Sequence, residues 1–297
     1  MPMLKKLNKA ALDPGLFWFW AYARLLPHGA TRRGSLLARR AGLRGPHFIL
    51  SFDCDTDADS RVVQTLHARL RSNGLSPLYA VAGEVLDAAS DAYQNISDDG
   101  AVFLNHGFRR HAALDKGTGE VTSTYFYGDV PVDDWQADIR RGHEAVADIL
   151  GQRPDGFRTP HFASFESPGE LATLWRFLTA LDYKFSSSTR PLFGLRHGPF
   201  FKRAGIMEFP VSGCLSEPRQ ILDTWGLVRG GSGTTQRLRE ELRAYLKIMQ
   251  TGQPLLLNLY MDPVDIAKDD AVIDLLAGFA PYSVASFAAT LAQAHHG

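Results

Sequence analysis

The run Phe48-Ile-Leu-Ser-Phe-Asp-Cys-Asp-Thr-Asp57 decides how the rest of the chain is read. A short apolar strand stops in three acidic residues. Carboxylates at a strand end must be hydrated, paired or placed on a metal, because a bare buried charge is expensive. Asp53, Asp55 and Asp57 alternate with Cys54 and Thr56, so a strand that persists sends all three acids to one side. One-sided acid at the carboxyl end of a barrel strand is where active sites sit. The ordinary alternative is a loop that uses Asp for turns and helix capping, since Asp57 and Asp59 precede a helix-like stretch. This stretch alone leaves both readings open.

Outward from it, strands and helices alternate. The first strand is expected over 47–53, followed by a helix whose apolar face carries Val63, Leu66 and Leu70 and which stops at Asn73-Gly74. Strands are predicted at 77–82, 101–104, 156–159, 183–188, 206–211 and 253–260, with a short one at 281–284. Helices are predicted at 84–98, 168–182, 264–278 and 285–295. Two more are marked by Trp135, Ile139, Val146 and Leu150, and by Leu238, Leu242, Tyr245 and Met249. Alternation of this kind, without a break in composition, predicts an α/β fold with a parallel barrel or a doubly wound sheet. Polar residues recur at strand ends around the whole chain, which favours the barrel. Residues 46–297 read as one such domain.

Of the 297 residues, 45% are hydrophobic and 22% charged, enough for a sizeable core and too apolar for disorder. Net charge is zero but unevenly spread. Residues 1–45 carry Lys5, Lys6, Lys9, Arg24, Arg32, Arg33, Arg39, Arg40 and Arg44 against the single acid Asp13. A basic leader of this kind suggests an anionic partner such as a membrane surface. Within it, Gly15-Leu-Phe-Trp-Phe-Trp-Ala-Tyr-Ala23 is too short to span a bilayer. Asp13, Pro14 and the lack of a small-x-small site argue against a signal peptide. Two readings remain: a helix lying in the membrane interface, giving peripheral membrane contact through residues 1–45, or aromatics packed on the main domain as a terminal helix. Residues 29–46, rich in Gly and Arg, read as a linker, and Arg229-Gly-Gly-Ser-Gly233 as a flexible loop. Two cysteines, Cys54 and Cys214, form no disulfide framework, which points to a reducing, cytoplasmic compartment, at the inner face of the membrane if the leader engages lipid. No nucleic-acid recognition motif is present.

The strand ends share a chemistry. The first gives Asp53 and Asp55, the third His106 with His111 five residues on, and the next Arg158 in Gly156-Phe-Arg-Thr-Pro-His161. Later ones give Glu208 and Asp262. An Asp with two His suits a divalent metal that keeps an open coordination position. His143 and His197 read as structural. The aromatics Tyr125, Phe126, Tyr127, Phe162, Phe165 and Trp225 suit stacking on a sugar ring and are equally ordinary core.

The order Phe-Asp-x-Asp, Asn-His with a second His, Phe-Arg-Thr-Pro, Glu-Phe-Pro-Val and Leu-Tyr-x-x-Pro resembles the polysaccharide deacetylases, from about residue 47 to 285. The resemblance implies a distorted seven-stranded (β/α) barrel. It implies Asp53 as general base, Asp55, His106 and His111 as ligands of a divalent metal, Zn2+ first among them, and Arg158 as the residue that orients the base. His161, Phe162 and Tyr127 are expected against substrate. Two positions depart from the family pattern. Its His pair is usually four apart, and here it is five apart, about 140° around a regular helix, so both reach one metal only from a loop or a π-bulge. Asp262 stands where the family has its general-acid His; with an unperturbed pKa of about 3.9 it needs burial to serve as an acid near neutral pH, or it acts as a further ligand. The leading expectation is a metal-dependent hydrolase that removes an N-acyl group from an amino sugar, on a glycan carried on lipid in bacterial surface polysaccharide or lipopolysaccharide synthesis. A barrel that binds a glycan or a partner protein without catalysis, or that hydrolyses another C–N bond, stands as the alternative.

Overall fold

The computed structural model describes residues 14–114, 121–162, 164–165 and 167–295. Two helices lead in, α1 (Pro14–Leu25) and α2 (Pro27–Arg40). Then follow β1 (Pro46–Cys54), α3 (Asp57–Ser72), β2 (Leu78–Val81), α4 (Gly83–Ala88), α5 (Ser90–Asp98) and β3 (Val102–Asn105). A hairpin of β4 (Ala112–Leu114) and β5 (Val121–Ser123) precedes α6 (Val132–Leu150), β6 (Gly156–Arg158), α7 (Pro168–Ala180) and β7 (Phe185–Ser187). The second half adds α8 (Pro191–His197), β8 (Phe201–Arg203), β9 (Ile206–Glu208), α9 (Gln236–Met249) and β10 (Leu255–Met261). It closes with α10 (Pro263–Ile266), α11 (Asp270–Ala277) and α12 (Phe287–His295).

Seven strands lie parallel in the order β10-β1-β2-β3-β6-β7-β9, with β8 antiparallel on the outer edge of β9. This is a (β/α)7 barrel with one seam, because no ladder joins β9 to β10. Asn258 bridges that seam. Its amide donates to the Phe209 and Pro210 carbonyls at 3.2 and 3.1 Å, and its carbonyl accepts from Ser212 N at 2.9 Å. A polar residue in the middle of the buried run Leu-Leu-Leu-Asn-Leu-Tyr-Met thus replaces missing ladder bonds.

The side-chain period of two sorts each central strand into two columns. On β1, Phe48, Leu50, Phe52 and Cys54 join the layer between sheet and helices, together with Val63, Leu66 and Leu70 of α3. The alternate residues Ile49, Ser51 and Asp53 turn the other way, and Ile49 belongs to a separate cluster with Leu256, Phe209 and Phe287. On β10, Leu255, Leu257, Leu259 and Met261 share the outer layer, while Leu256, Asn258 and Tyr260 form the inner column. The β1–β10 register pairs Ile49 with Asn258 and Ser51 with Tyr260. The barrel interior is therefore apolar at its amino end and polar at its carboxyl end.

Several expectations need correction. Residues 29–46 are not a linker: α2 covers most of them, and its Ala30 and Ala38 are buried, with Ala38 and Leu43 in the cluster of Phe209 and Phe287. The alanines favour the helix and are small enough to pack closely, and this outweighs the cost of Gly29 and Gly34. The region 225–232 is a wide helical turn rather than an irregular loop. The helix expected over 264–278 breaks where Asp269 caps α11, accepting from Val272 N at 3.1 Å. The strand expected at 281–284 is a 3-10 turn, Ala280–Tyr282, with one bridge between Phe48 and Ser283. Glu208 is fully buried: it accepts from Ser188 N, Thr189 N and Trp175 Nε1 at 2.7–2.9 Å and ties β9 to its neighbours.

Candidate active site

The acids at the end of β1 separate because the strand stops. Asp53 and Asp55 are buried, whereas Asp57 turns to the surface and pairs with Arg110 at 2.7 Å. The turn is made by Thr56 and Asp59. One Asp59 oxygen accepts from Thr56 N, Thr56 Oγ1 and Asp55 N at 3.0, 2.7 and 3.3 Å. Its other oxygen accepts from Val264 N at 3.2 Å, which ties this turn to the end of β10. The three acids do not share one side: Asp57 turns away, Asp53 and Asp55 face the barrel mouth, and Asp59 caps the helix that follows.

His106 and His111 leave β3 on a loop, which resolves their five-residue spacing. Gly107 takes the left-handed region at φ 77°, where a side chain would also collide with Tyr127 and Asp138. Asp138, from α6, accepts from Phe108 N and Arg109 N at 3.0 Å each and from Tyr127 OH at 2.7 Å. Glu84 accepts from Arg110 N at 2.8 Å. The loop is thus held by acids from two other elements. Asp138 lies on the buried face of α6 with Trp135, Ile139 and Gly142, and an acid in the apolar phase of that helix was the signal for it.

The two imidazoles are oriented alike. His106 Nδ1 lies 2.8 Å from the Arg158 carbonyl, and His111 Nδ1 3.2 Å from the Arg109 carbonyl. A carbonyl only accepts, so each Nδ1 donates its proton there and each Nε2 is the atom turned to the site; a carboxylate also only accepts, so His111 Nε2 holds a second proton against Asp55 that a bound cation would displace. Both Nε2 atoms point at Asp55 Oδ1, His106 at 3.4 Å and His111 at 2.7 Å. The ligand atoms of Asp55, His106 and His111 lie within 4.8 Å of one another, and all three residues are buried. Tetrahedral coordination at ~2.0–2.1 Å places ligand atoms roughly 3.3 Å apart, so this group fits a divalent ion after a small opening of the His111–Asp55 contact. The electrostatics agree. Burial alone would raise the Asp55 carboxyl, but His111 and His106 outweigh it and hold it well below the usual range. Burial pulls His111 down, and Asp55 more than restores it. The group is built to bind positive charge.

Asp53 sits beside it, with Oδ2 3.8 Å from His106 Nε2. Arg158, fully buried, donates from Nη1 to Asp53 Oδ1 at 3.2 Å and from Nη2 to Ser51 Oγ at 2.9 Å. Its guanidinium lies 5.1 Å from the Tyr260 ring centre and 5.6 Å from that of Phe162. Burial raises the Asp53 carboxyl above its ordinary value, and Arg158 only partly opposes this. Arg158 therefore aims Asp53 and leaves it more basic than a surface carboxylate.

On the β10 side the polar groups are mostly acids. Asp262 accepts from Thr224 Oγ1 at 2.7 Å, and its own N–H donates to Thr224 Oγ1 at 2.9 Å. Arg229 Nη2 stands 3.9 Å from Asp262 Oδ1, beyond hydrogen-bond reach, while Arg229 Nε donates to Asp265 at 3.0 Å. Burial pushes Asp262 well above the usual carboxylate range despite Arg229. Burial likewise lifts Asp59 and Asp223 to about 6. Asp223 accepts from Tyr260 OH at 2.6 Å. Asp223 and Thr224 carry no signal in the sequence, and Arg229 reads there only as part of a flexible loop, because they lie in the seam excursion, where no period marks them.

The residues expected against substrate divide. His161, at φ 52°, donates from Nε2 to the His111 carbonyl at 2.9 Å and stacks near Phe126 at 4.5 Å. Burial, with His111 beside it, lowers His161 to about 4, so it is neutral near pH 7. Phe162 is half-buried over Arg158 and Tyr260. Tyr127 must be corrected: it is buried, bonded to Asp138 and packed on Trp135 and Phe165, so it supports the metal-facing loop and offers no ring to a ligand. Phe126, half exposed beside His161, is the aromatic at the mouth.

No protein-family model matches the chain, and no curated protein matches it in sequence. Solved structures do share the fold. A protein from Mycobacterium smegmatis described as a polysaccharide deacetylase superposes with a TM-score of 0.58 at 19% identity, over 86% of this chain and 90% of the other. One so described from Pseudomonas aeruginosa PAO1 gives 0.58 at 10% identity, over 86% and 93%. The Puue allantoinase gives 0.59 at 8% identity, over 86% and 91%. At these identities the likeness is one of fold.

Proposed function

We propose that the chain is a metal-dependent N-deacylase acting on an amino sugar within a glycan, with acetyl the acyl group removed. One observation carries this reading: ligand atoms of Asp55, His106 and His111 converge, with both Nδ1 atoms committed to carbonyls, beside a buried carboxylate and a buried arginine. The likeness in fold to polysaccharide deacetylases supports the reaction class. Asp55, His106 and His111 hold the divalent ion, Zn2+ by the nitrogen–oxygen donor set. When bound, the ion supplies Lewis acidity to the amide carbonyl and to water.

Asp53 takes the proton of the attacking water, and its raised basicity matches that task. Arg158 holds the carboxylate in place through Nη1 while Ser51 and the Tyr260 ring hold Arg158. Asp262 replaces the family's histidine as the acid that protonates the departing amine. Burial outweighs Arg229 and raises the Asp262 carboxyl well above the ordinary range, the direction a proton donor requires. Phe126, Phe162 and the neutral His161 line the approach and bind the sugar. The substrate is a surface glycan under construction, carried on lipid.

Hydrolysis of another C–N bond is the second reading, favoured by the fold shared with an allantoinase. The test is acetate release from N-acetylated amino-sugar oligomers and from cyclic amides, with and without chelator, by wild type and Asp53→Asn. Chelator-sensitive acetate release lost in Asp53→Asn supports the deacylase. Turnover of the cyclic amide alone supports the second reading. A protein that binds no metal and releases nothing overturns both.

A further inference from the structure

We propose that the outer face of α1, flanked by the basic stripe of α2, seats the protein on an anionic lipid bilayer surface. Six of the eight exposed large hydrophobic side chains among the described residues lie between Phe17 and Leu36. Phe17, Trp18, Trp20 and Leu25 share one side of α1, and Trp18 and Leu25 are 74% and 75% exposed. The opposite side, with Leu16 and Ala23, faces the barrel. The aromatics thus neither all pack inward nor all float free: one side of the helix anchors it, and on the other Trp20 lies against Phe17 and Arg219 while Trp18 and Leu25 stand exposed.

Charge selects the occupant. From Pro14 to Phe52 the sequence holds no acid, while Arg24, Arg32, Arg39, Arg40 and Arg44 are exposed. On α2, His28, Arg32, Leu36 and Arg40 recur every fourth position, so the basic groups form one exposed stripe. A second copy of this chain would bring like-charged stripes together. An anionic headgroup layer pairs with them, and indole rings are well placed where acyl chains meet headgroups. The 12-residue α1 is about 18 Å long, too short to cross ~30 Å of hydrocarbon, so it lies in the plane. No described helix is long and apolar enough to cross a membrane.

The inference goes beyond the deacylase reading and fails separately from it, because none of these side chains is at the barrel mouth. The test is flotation of the full chain with phosphatidylcholine vesicles with and without phosphatidylglycerol. The variants are Trp18→Ser with Leu25→Ser, and Arg32→Glu with Arg39→Glu and Arg40→Glu, each checked for wild-type circular dichroism and metal content. The expected result is flotation with anionic vesicles at low salt, reduced at least tenfold in both variants. The proposal is overturned if wild type does not float, or if it floats equally well with both variants. It is also overturned if Trp18→Ser with Leu25→Ser abolishes self-association in sedimentation and leaves vesicle binding intact, since the patch then belongs to a second copy.

Discussion

The two sides of the barrel mouth solve the same problem differently. On the β3 side, the loop carrying His106 and His111 is held by acids that have partners: Asp138 binds two backbone N–H groups and a tyrosine, and Glu84 a third N–H. Its two imidazoles are fixed through Nδ1 and turn Nε2 toward Asp55. On the β10 side, Asp262, Asp223 and Asp59 crowd a buried space with one arginine, Arg229, whose Nη2 finds no hydrogen bond among the described residues. The first side concentrates negative potential for a cation. On the second, burial raises the carboxyls above their ordinary range. Under the proposed mechanism one acidic pocket would serve both a cation and a proton donor, because burial and the neighbouring charges, rather than residue type, set each carboxylate apart.

The sharpest break of that contrast is on the metal side. His106→Ala and His111→Ala should each take metal content, read by plasma mass spectrometry, from about one ion per chain to none, and activity with it. Retention of metal in His111→Ala would move the third ligand across the mouth, to Asp262. Next in size, Asp53→Asn should lower kcat by ~10²–10⁴ with metal retained, as for loss of a general base. Asp262→Asn should lower kcat by about 10², also with metal retained, and separates the two sides by stability as well. Its carboxyl is raised in the folded protein, so above the unfolded value of about 3.9 the unfolded chain ionises more readily and folding weakens until the pH passes the folded value. Removing the group should therefore raise the melting temperature at alkaline pH and leave it unchanged well below pH ~3.9. Equal melting at every pH would mean that Asp262 is not a suppressed acid. Smallest, Gly107→Ala should weaken metal binding by ~10–100-fold in a chelator competition, since the loop must shift to clear Tyr127 and Asp138.

The barrel was legible because parallel strands buried on both faces read as apolar runs, and β1 and β10 do so almost without interruption. Asp53, Asp55, His106 and Arg158 stood out because each ends or follows such a run. The means by which His111 joins them was not legible. It depends on Asp138 and Glu84, which lie 27 residues on either side of that position in the numbering and reach the loop only after folding. Tyr127 misled because an aromatic beside a motif looks the same in sequence whether its hydroxyl faces a ligand or Asp138. The linker expected over 29–46 failed for the converse reason: Ala30 and Ala38 of α2 are buried, and Ala38 packs with the core of the barrel.

The seam between β9 and β10 has a consequence for ancestry. No ladder register spans residues 209–254, and the junction rests on Ser212 and Asn258. An excursion that joins two unladdered strands can lengthen, shorten or be exchanged without slipping any other strand. Asp223, Thr224 and Arg229 all ride on it. Descendants of such a barrel can exchange the partners of Asp262 while Asp262 itself, at the end of β10, and the Asp55, His106 and His111 group stay in place, and diversification on this scaffold should concentrate in the excursion.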